Sequence, residues 1–326
     1  MIGLRPIPPI PGSRNQLIGH LLLPGVKPRN ILANNSMMMI LAFITAMVVG
    51  GFPNGFAFTN SNIAMLSLIV MMSLSLTSLR LRGLKLKDHS VPIRNAFLLS
   101  FFLSTGTTIA MSYLFQGDIR DGWIIMAAVP SAVSIVPFTY LLKGDLDSTL
   151  VSSASLYILA LAATPIITLV FLGTAVDVMT LLGYVGYLIL LPLVVSRLLR
   201  KVDIRPEQKG MAINVAFFVL IVAIAGPNRQ VFFGDPIILT GLVIVAFVRQ
   251  FGIGLLWNWY LERKNTPRTR KVPEVLFASY KNTGMAATLA IALIGPTAAV
   301  PATVCTLVDI VWLIFLSKSL FSTTRP

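Results

Sequence analysis

Long apolar runs alternate with short polar joints along the whole chain after residue 34. The runs fall at about residues 35–52, 61–79, 93–115, 121–142, 147–172, 178–199, 210–228, 236–258, 273–294 and 298–318. Each approaches the roughly 20 residues that carry an α-helix across a hydrocarbon layer about 30 Å thick. The pattern predicts an all-α polytopic membrane protein with ten transmembrane helices. Composition agrees: 56% of the 326 residues are hydrophobic and 12% are charged, and the mean hydropathy is +0.83. A soluble domain of this length could not hide so much apolar side chain.

Charge orients the spans. The chain carries a net charge of +14, but its basic residues cluster in alternate joints rather than on one face. Arg5, Arg14, Lys27 and Arg29 precede the first span. Arg80, Arg82, Lys85, Lys87 and Arg94 follow the second, Lys143 the fourth, and Arg197, Arg200, Lys201, Arg205 and Lys209 the sixth. Arg263, Lys264, Arg268, Arg270 and Lys271 follow the eighth, and Lys318 and Arg325 end the chain. The opposite joints hold Arg120 and Arg229. Ten spans with both termini cytoplasmic satisfy the positive-inside rule without exception. Trp257, Trp259 and Tyr260 then mark the inner interface. A basic face interleaved with aromatics is missing, so nucleic acid is not an expected partner. Residues 1–34 read as a cytoplasmic arm, Pro-rich and without a cleavable leader, and residues 319–326 as a cytoplasmic tail. A single Cys305 excludes an intrachain disulfide, and His20 and His89 have no metal-ligand spacing. No cofactor is expected.

Two spans are interrupted at corresponding places. The fourth contains Pro130-Ser131-Ala132-Val133-Ser134-Ile135-Val136-Pro137, and the ninth contains Tyr280-Lys281-Asn282-Thr283-Gly284. Each is the fourth of five, so the halves 35–172 and 178–318 are expected to be repeats of opposite topology. Paired interruptions in inverted halves point to the central site of a transporter, because broken helices expose free N–H and C=O groups at membrane depth. Lys281 lies inside one interruption. An ionisable group there costs at least about 2.5–3.5 kcal/mol by insertion scales and marks an ion or substrate pathway. Asp309 and Arg249 lie in the middle of spans 10 and 8. Each needs a partner, and Asp309 could pair with Arg249 or with Lys281. Asp145 and Asp147 read as helix caps at the turn after span 4. The methionines at 37–39 and 71–72 read as apolar filling. Ser152, Ser153 and Ser155 read as small residues that allow close helix packing.

These residues resemble the bile acid:sodium symporter family and its wider superfamily. The resemblance covers spans 2 to 10. It is carried by Leu68 through Leu76, by Pro130 through Tyr140 followed by Leu141-Leu142-Lys143-Gly144-Asp145, and by Tyr280 through Ala290. It implies a panel domain of spans 1, 2, 6 and 7, and a core domain whose broken helices 4 and 9 cross. It also implies secondary transport of a small organic anion by alternating access, usually with sodium. By that alignment Val133, Ser134 and Asn282 are expected at the substrate site, with Ser131 and Thr283 beside them, and Lys281, Ser153 and Ser100 at the ion site, which the intramembrane charge of Asp309 is expected to join.

The chain departs from the family where sodium would bind. The family's Ser-Asn pair aligns with Ile135 and Val136, its later span-5 hydroxyl with Tyr157, its glutamate with Phe277, its glutamine with Lys281, and its span-3 glutamine with Ser100. A hard cation needs several oxygen ligands, and this set does not supply them. We therefore expect the Lys281 ammonium to occupy a sodium position. It would hold the crossover carbonyls together and could release and take up a proton during the cycle. Uncoupled transport with Lys281 as a permanently paired structural charge is one alternative, and sodium-coupled symport of the bile acid type is another. Arsenite export usually uses a cysteine in the first crossover, and residues 130–137 contain none. A membrane sensor on a transporter fold is a further class. An enzyme would require a catalytic constellation that the scattered acids and histidines do not form.

Overall fold

A computed structural model describes residues 32, 35–53, 57–77, 86–173 and 176–322. The rest of the N-terminal arm, Arg80, Arg82, Lys85 and Arg325 lie outside the described residues. Among the described residues the regular structure is all helical, without a strand. The helices are α1 (Asn35–Val49), α2 (Asn60–Leu76), α3 (residues 90–112), α4 (Gly117–Ala128), α5 (Ile135–Leu141), α6 (Leu146–Leu172) and α7 (Val178–Leu199). They continue as α8 (Pro206–Ala225), α9 (Arg229–Gly234), α10 (Pro236–Arg263), α11 (Arg268–Ser279), α12 (Thr283–Leu293) and α13 (Pro296–Leu320).

Five of these are long and apolar enough to cross a membrane: α6, α7, α8, α10 and α13. Their outward side chains are apolar too, including Ile158, Met179, Leu190, Ile237 and Leu256. Such a surface would aggregate in water and suits lipid. The protein is a helical membrane protein. The fourth and ninth apolar runs appear as the split pairs α4–α5 and α11–α12, so neither forms one uninterrupted helix.

Helix ends follow local chemistry more closely than the edges of the apolar runs. The run at 35–52 stops being helical at Val49, because Gly50 and Gly51 take φ of +80° and +90°, a left-handed ending open to glycine. The ninth segment begins at Arg268 rather than 273, one polar turn before its apolar stretch. Asp145 caps α6, accepting from the Ser148 N–H at 3.1 Å and its hydroxyl at 2.6 Å.

Packing divides the helices into two groups. In one, α8 lies against both α1 and α2, and α2 against α7. In the other, α4 packs on α3, α6, α12 and α13, while α11 packs on α3 and α10. Two close approaches hold the second group. A Cβ on Gly122 of α4 would meet the backbone oxygen of Ala298, and one on Gly254 of α10 would meet the Trp312 ring.

Helices α3 and α10 share an irregularity. Each contains a π-helical stretch, Leu98–Ser104 in α3 and Val248–Gly252 in α10. A π-bulge widens the helix by one residue per turn, releases carbonyls from the regular ladder and often marks a functional site. Ser100 lies in the first stretch and Arg249 in the second.

Candidate functional site at the helix crossing

Pro130 accounts for the first interruption. The ring of a proline excludes the preceding residue from helical backbone, and Val129 is extended at φ −72°, ψ 156°. Helix resumes at Ile135. Pro137 is tolerated there because the first turn has no intrahelical acceptors for its N–H groups. The second interruption needs no proline. Tyr280 is extended at φ −93°, ψ 130°, and Asn282 caps α12 by accepting from the Met285 N–H at 3.0 Å. The two interruptions touch: the Asn282 N–H donates to the Pro130 carbonyl at 2.9 Å.

Where α4 stops, its carbonyls must find new donors, since an unpaired buried C=O is costly. Five consecutive ones do. Ala127 O accepts from the Thr105 hydroxyl at 2.7 Å and from Lys281 Nζ at 2.9 Å. Ala128 O accepts from Thr164 at 2.9 Å, and Val129 O from Lys281 Nζ at 2.9 Å. Pro130 O takes the Asn282 N–H, and Ser131 O the Tyr157 hydroxyl at 3.2 Å.

Lys281 is 0% exposed. Its ammonium also reaches Ser100 O and Thr105 Oγ1, each at 2.9 Å. Three N–H donors thus face four oxygens, so at least one N–H is shared. The Phe101 ring closes the cage, with its centroid 5.3 Å from Nζ. All four oxygens belong to neutral groups. The counter-charge is the negative end of the α4 dipole together with the carbonyls freed by the α3 π-stretch. Three carbonyls and a hydroxyl around a cation form the coordination shell of a hard ion, here filled by a side chain.

The other helix end, that of α11, is capped by a different cation. Arg249, also 0% exposed, donates to Ser279 O at 3.3 Å and to Gln250 Oε1 at 2.6 Å. Trp312 Nε1 donates to the Ser279 hydroxyl at 3.0 Å. This network is incomplete: Arg249 Nε, Gln250 Nε2 and Asp309 Oδ1 have no hydrogen-bond partner.

Beside the crossing, between the two helix groups, lies a cavity of about 380 Å³. Val133, Ser134, Asn282, Thr283 and Asp309 line it, as do Ser75 of α2 and Asn214 of α8. A second space of about 380 Å³ adjoins it through the shared walls Ser75, Val133, Pro137, Gly210 and Ile213. It runs to Leu146, Pro206 and Lys209 at the basic end of the molecule.

The structure divides the sequence-expected site residues into two places. Val133, Ser134, Asn282 and Thr283 share the cavity wall. Ser131 does not: its side chain turns away and donates to the Ser100 hydroxyl at 2.7 Å. Ser100 meets Lys281 through its carbonyl rather than its hydroxyl. Ser153 stands apart from Lys281, on the wall of the second cavity, with an unpartnered hydroxyl. Among the described residues, neither pairing considered for Asp309 forms an ion pair. Lys281 turns to carbonyls, and Arg249 acts on Asp309 only through space. Met39, Met71 and Met72 are cavity wall as well as filling.

Two contributors escaped the sequence reading. Thr105 completes the Lys281 cage, and the cluster Ser104-Thr105-Gly106-Thr107-Thr108 within an apolar span was the available signal. Tyr157, read only as a departure, bridges both interruptions by donating to Ser131 O and accepting from Asn282 Nδ2 at 2.8 Å. No protein-family model matches the chain, and no curated protein matches it in sequence.

Proposed function

We propose that this protein is a secondary transporter that moves a small organic solute by alternating access, with Lys281 in place of a driving sodium ion. In this reading ten spans form two inverted five-helix repeats in the plasma membrane with both termini cytoplasmic, and the chain is a divergent relative of the bile acid:sodium symporters. The observation that carries it is the Lys281 ammonium, bound by three crossover-region carbonyls and a hydroxyl where the two interruptions meet.

Four further features support the reading. The π-stretches of α3 and α10 occupy matching places in the two halves, each beside the helix end that a cation caps. Helices α1, α2, α7 and α8 pack together, as a panel of spans 1, 2, 6 and 7 would. The cavity lies between that group and the crossing, where relative motion of two bodies exposes a site to alternate sides. It extends toward the basic end, which corresponds to an inward-open state under the positive-inside orientation. Lys281 lines neither cavity, which favours a fixed structural cation over a proton carrier.

The resemblance alone carries the expectation that the cargo is an anion, because among the described residues no basic side chain lines the cavity at the crossing. Alternating access is tested with a single reporter thiol, Ser75→Cys in a Cys305→Ser background, in right-side-out and inside-out vesicles. A membrane-impermeant maleimide should label it from both sides, because the cavity opens to each in turn. Labelling from one side only would overturn the reading.

A further inference from the structure

The cavity's own chemistry indicates its cargo. Among the described residues, Asp309 is the one acidic side chain on its wall, and no lysine, arginine or histidine lines it. Asp309 Oδ1 is buried and accepts no well-formed hydrogen bond, although the Gln250 side-chain amide acts on the carboxylate from nearby. A carboxylate oxygen left in this way is costly unless something supplies a donor.

The two buried cations nearby do not supply it. Lys281 is saturated by carbonyl and hydroxyl oxygens on the far side of the crossing. The Arg249 guanidinium is turned onto Ser279 O and Gln250 Oε1 and is absent from the wall. Tyr280 gives its hydroxyl to the Asp309 backbone oxygen at 3.0 Å, not to the carboxylate.

The remaining wall suits a cation with an apolar body. Phe138 and Tyr280 stand with ring centroids 5.4 Å apart, both on the wall with Phe217 and Met72. Aromatic faces attract ammonium groups, and methionine adapts to varied apolar shapes. A few placed polar groups in an otherwise apolar cavity fix a ligand's orientation.

Resting on the transport reading and naming its substrate class, we infer that the cavity binds an organic amine in its ammonium form. Its N–H groups bond the Asp309 carboxylate, and its apolar part lies against Phe138, Tyr280 and the methionines. The same carboxylate repels organic anions from this wall.

The test uses three probes of matched shape on the purified full-length protein: benzylamine, benzyl alcohol and benzoate. Binding is read by titration calorimetry at constant ionic strength near neutral pH. Benzylamine should bind at least about tenfold tighter than benzoate, with the alcohol between. Asp309→Asn should remove that preference while the unliganded protein keeps its melting temperature to within a few degrees. Asp309→Glu should retain part of it. Tighter binding of benzoate, no saturable binding of benzylamine, or an undiminished preference in Asp309→Asn would each overturn the inference. If it fails while the Ser75→Cys reporter still labels from both sides, the transport reading stands without this cargo. One-sided labelling would remove the transport reading itself.

Discussion

The two helix interruptions solve one problem in opposite ways. Both leave a helix C-terminus buried inside the protein, and both place a cation there. At the first, Lys281 completes a set in which five successive carbonyls are satisfied and the ammonium is sealed from both cavities. At the second, Arg249 makes one long bond to Ser279 O, while Arg249 Nε, Gln250 Nε2 and Asp309 Oδ1 make no well-formed hydrogen bond, and Asp309 lines a cavity. A completed buried network fixes one geometry, whereas an incomplete one can be finished by a ligand. The first interruption is therefore the fixed point of the crossing and the second the responsive side.

Substitutions can break this contrast, beginning with the largest expected effect. Lys281→Met leaves several buried oxygens short of a donor, at about 1–3 kcal/mol for each one orphaned, and should destabilise the protein by about 3–5 kcal/mol. The loss appears as a large drop in melting temperature and in folded yield from detergent extracts. Arg249→Met should cost less, about 1–3 kcal/mol, because its helix end is only lightly capped. Equal losses at the two positions would remove the distinction between a fixed and a responsive side.

Gly254→Ala sharpens the second side. Its Cβ would meet the Trp312 ring, whose N–H bonds the Ser279 hydroxyl. Overpacking of this kind costs about 1–3 kcal/mol, and the Trp312 environment should change in near-ultraviolet dichroism and fluorescence. Tyr157→Phe tests the join between the interruptions. It removes a donor to Ser131 O and an acceptor for Asn282 Nδ2, a loss of about 0.5–1.5 kcal/mol per bond. Thermal unfolding should register it as a shift comparable to that of Gly254→Ala and smaller than that of Lys281→Met.

Much of the helical layout was legible in the sequence because its signals are local. The Pro130 break, the Asn282 cap and the apolar runs each act within a few residues. Lys281 was legible as a charge out of place. Its partners were not, because Ser100, Ala127 and Val129 contribute backbone oxygens that carry no mark of residue type. For the same reason Arg249 was expected to seek the carboxylate of Asp309 and instead seeks the carbonyl of Ser279. Ser131 looked like cavity wall because its neighbours are. Its hydroxyl instead finds the Ser100 hydroxyl on α3, a contact between distant parts of the chain that has no local signal. The π-stretches that release the Ser100 carbonyl and turn Arg249 inward have no sequence pattern of their own.

The most direct measurement is the melting temperature of the purified protein as sodium replaces potassium at constant ionic strength. A cation that binds only the folded state stabilises it by RT ln(1 + [L]/Kd). With the ammonium of Lys281 already in the carbonyl cage, the wild-type protein should melt at the same temperature in both salts, and Lys281→Met should melt well below it in either. A saturable, sodium-specific rise in the wild-type protein would contradict a built-in cation and would return the protein to sodium-driven symport.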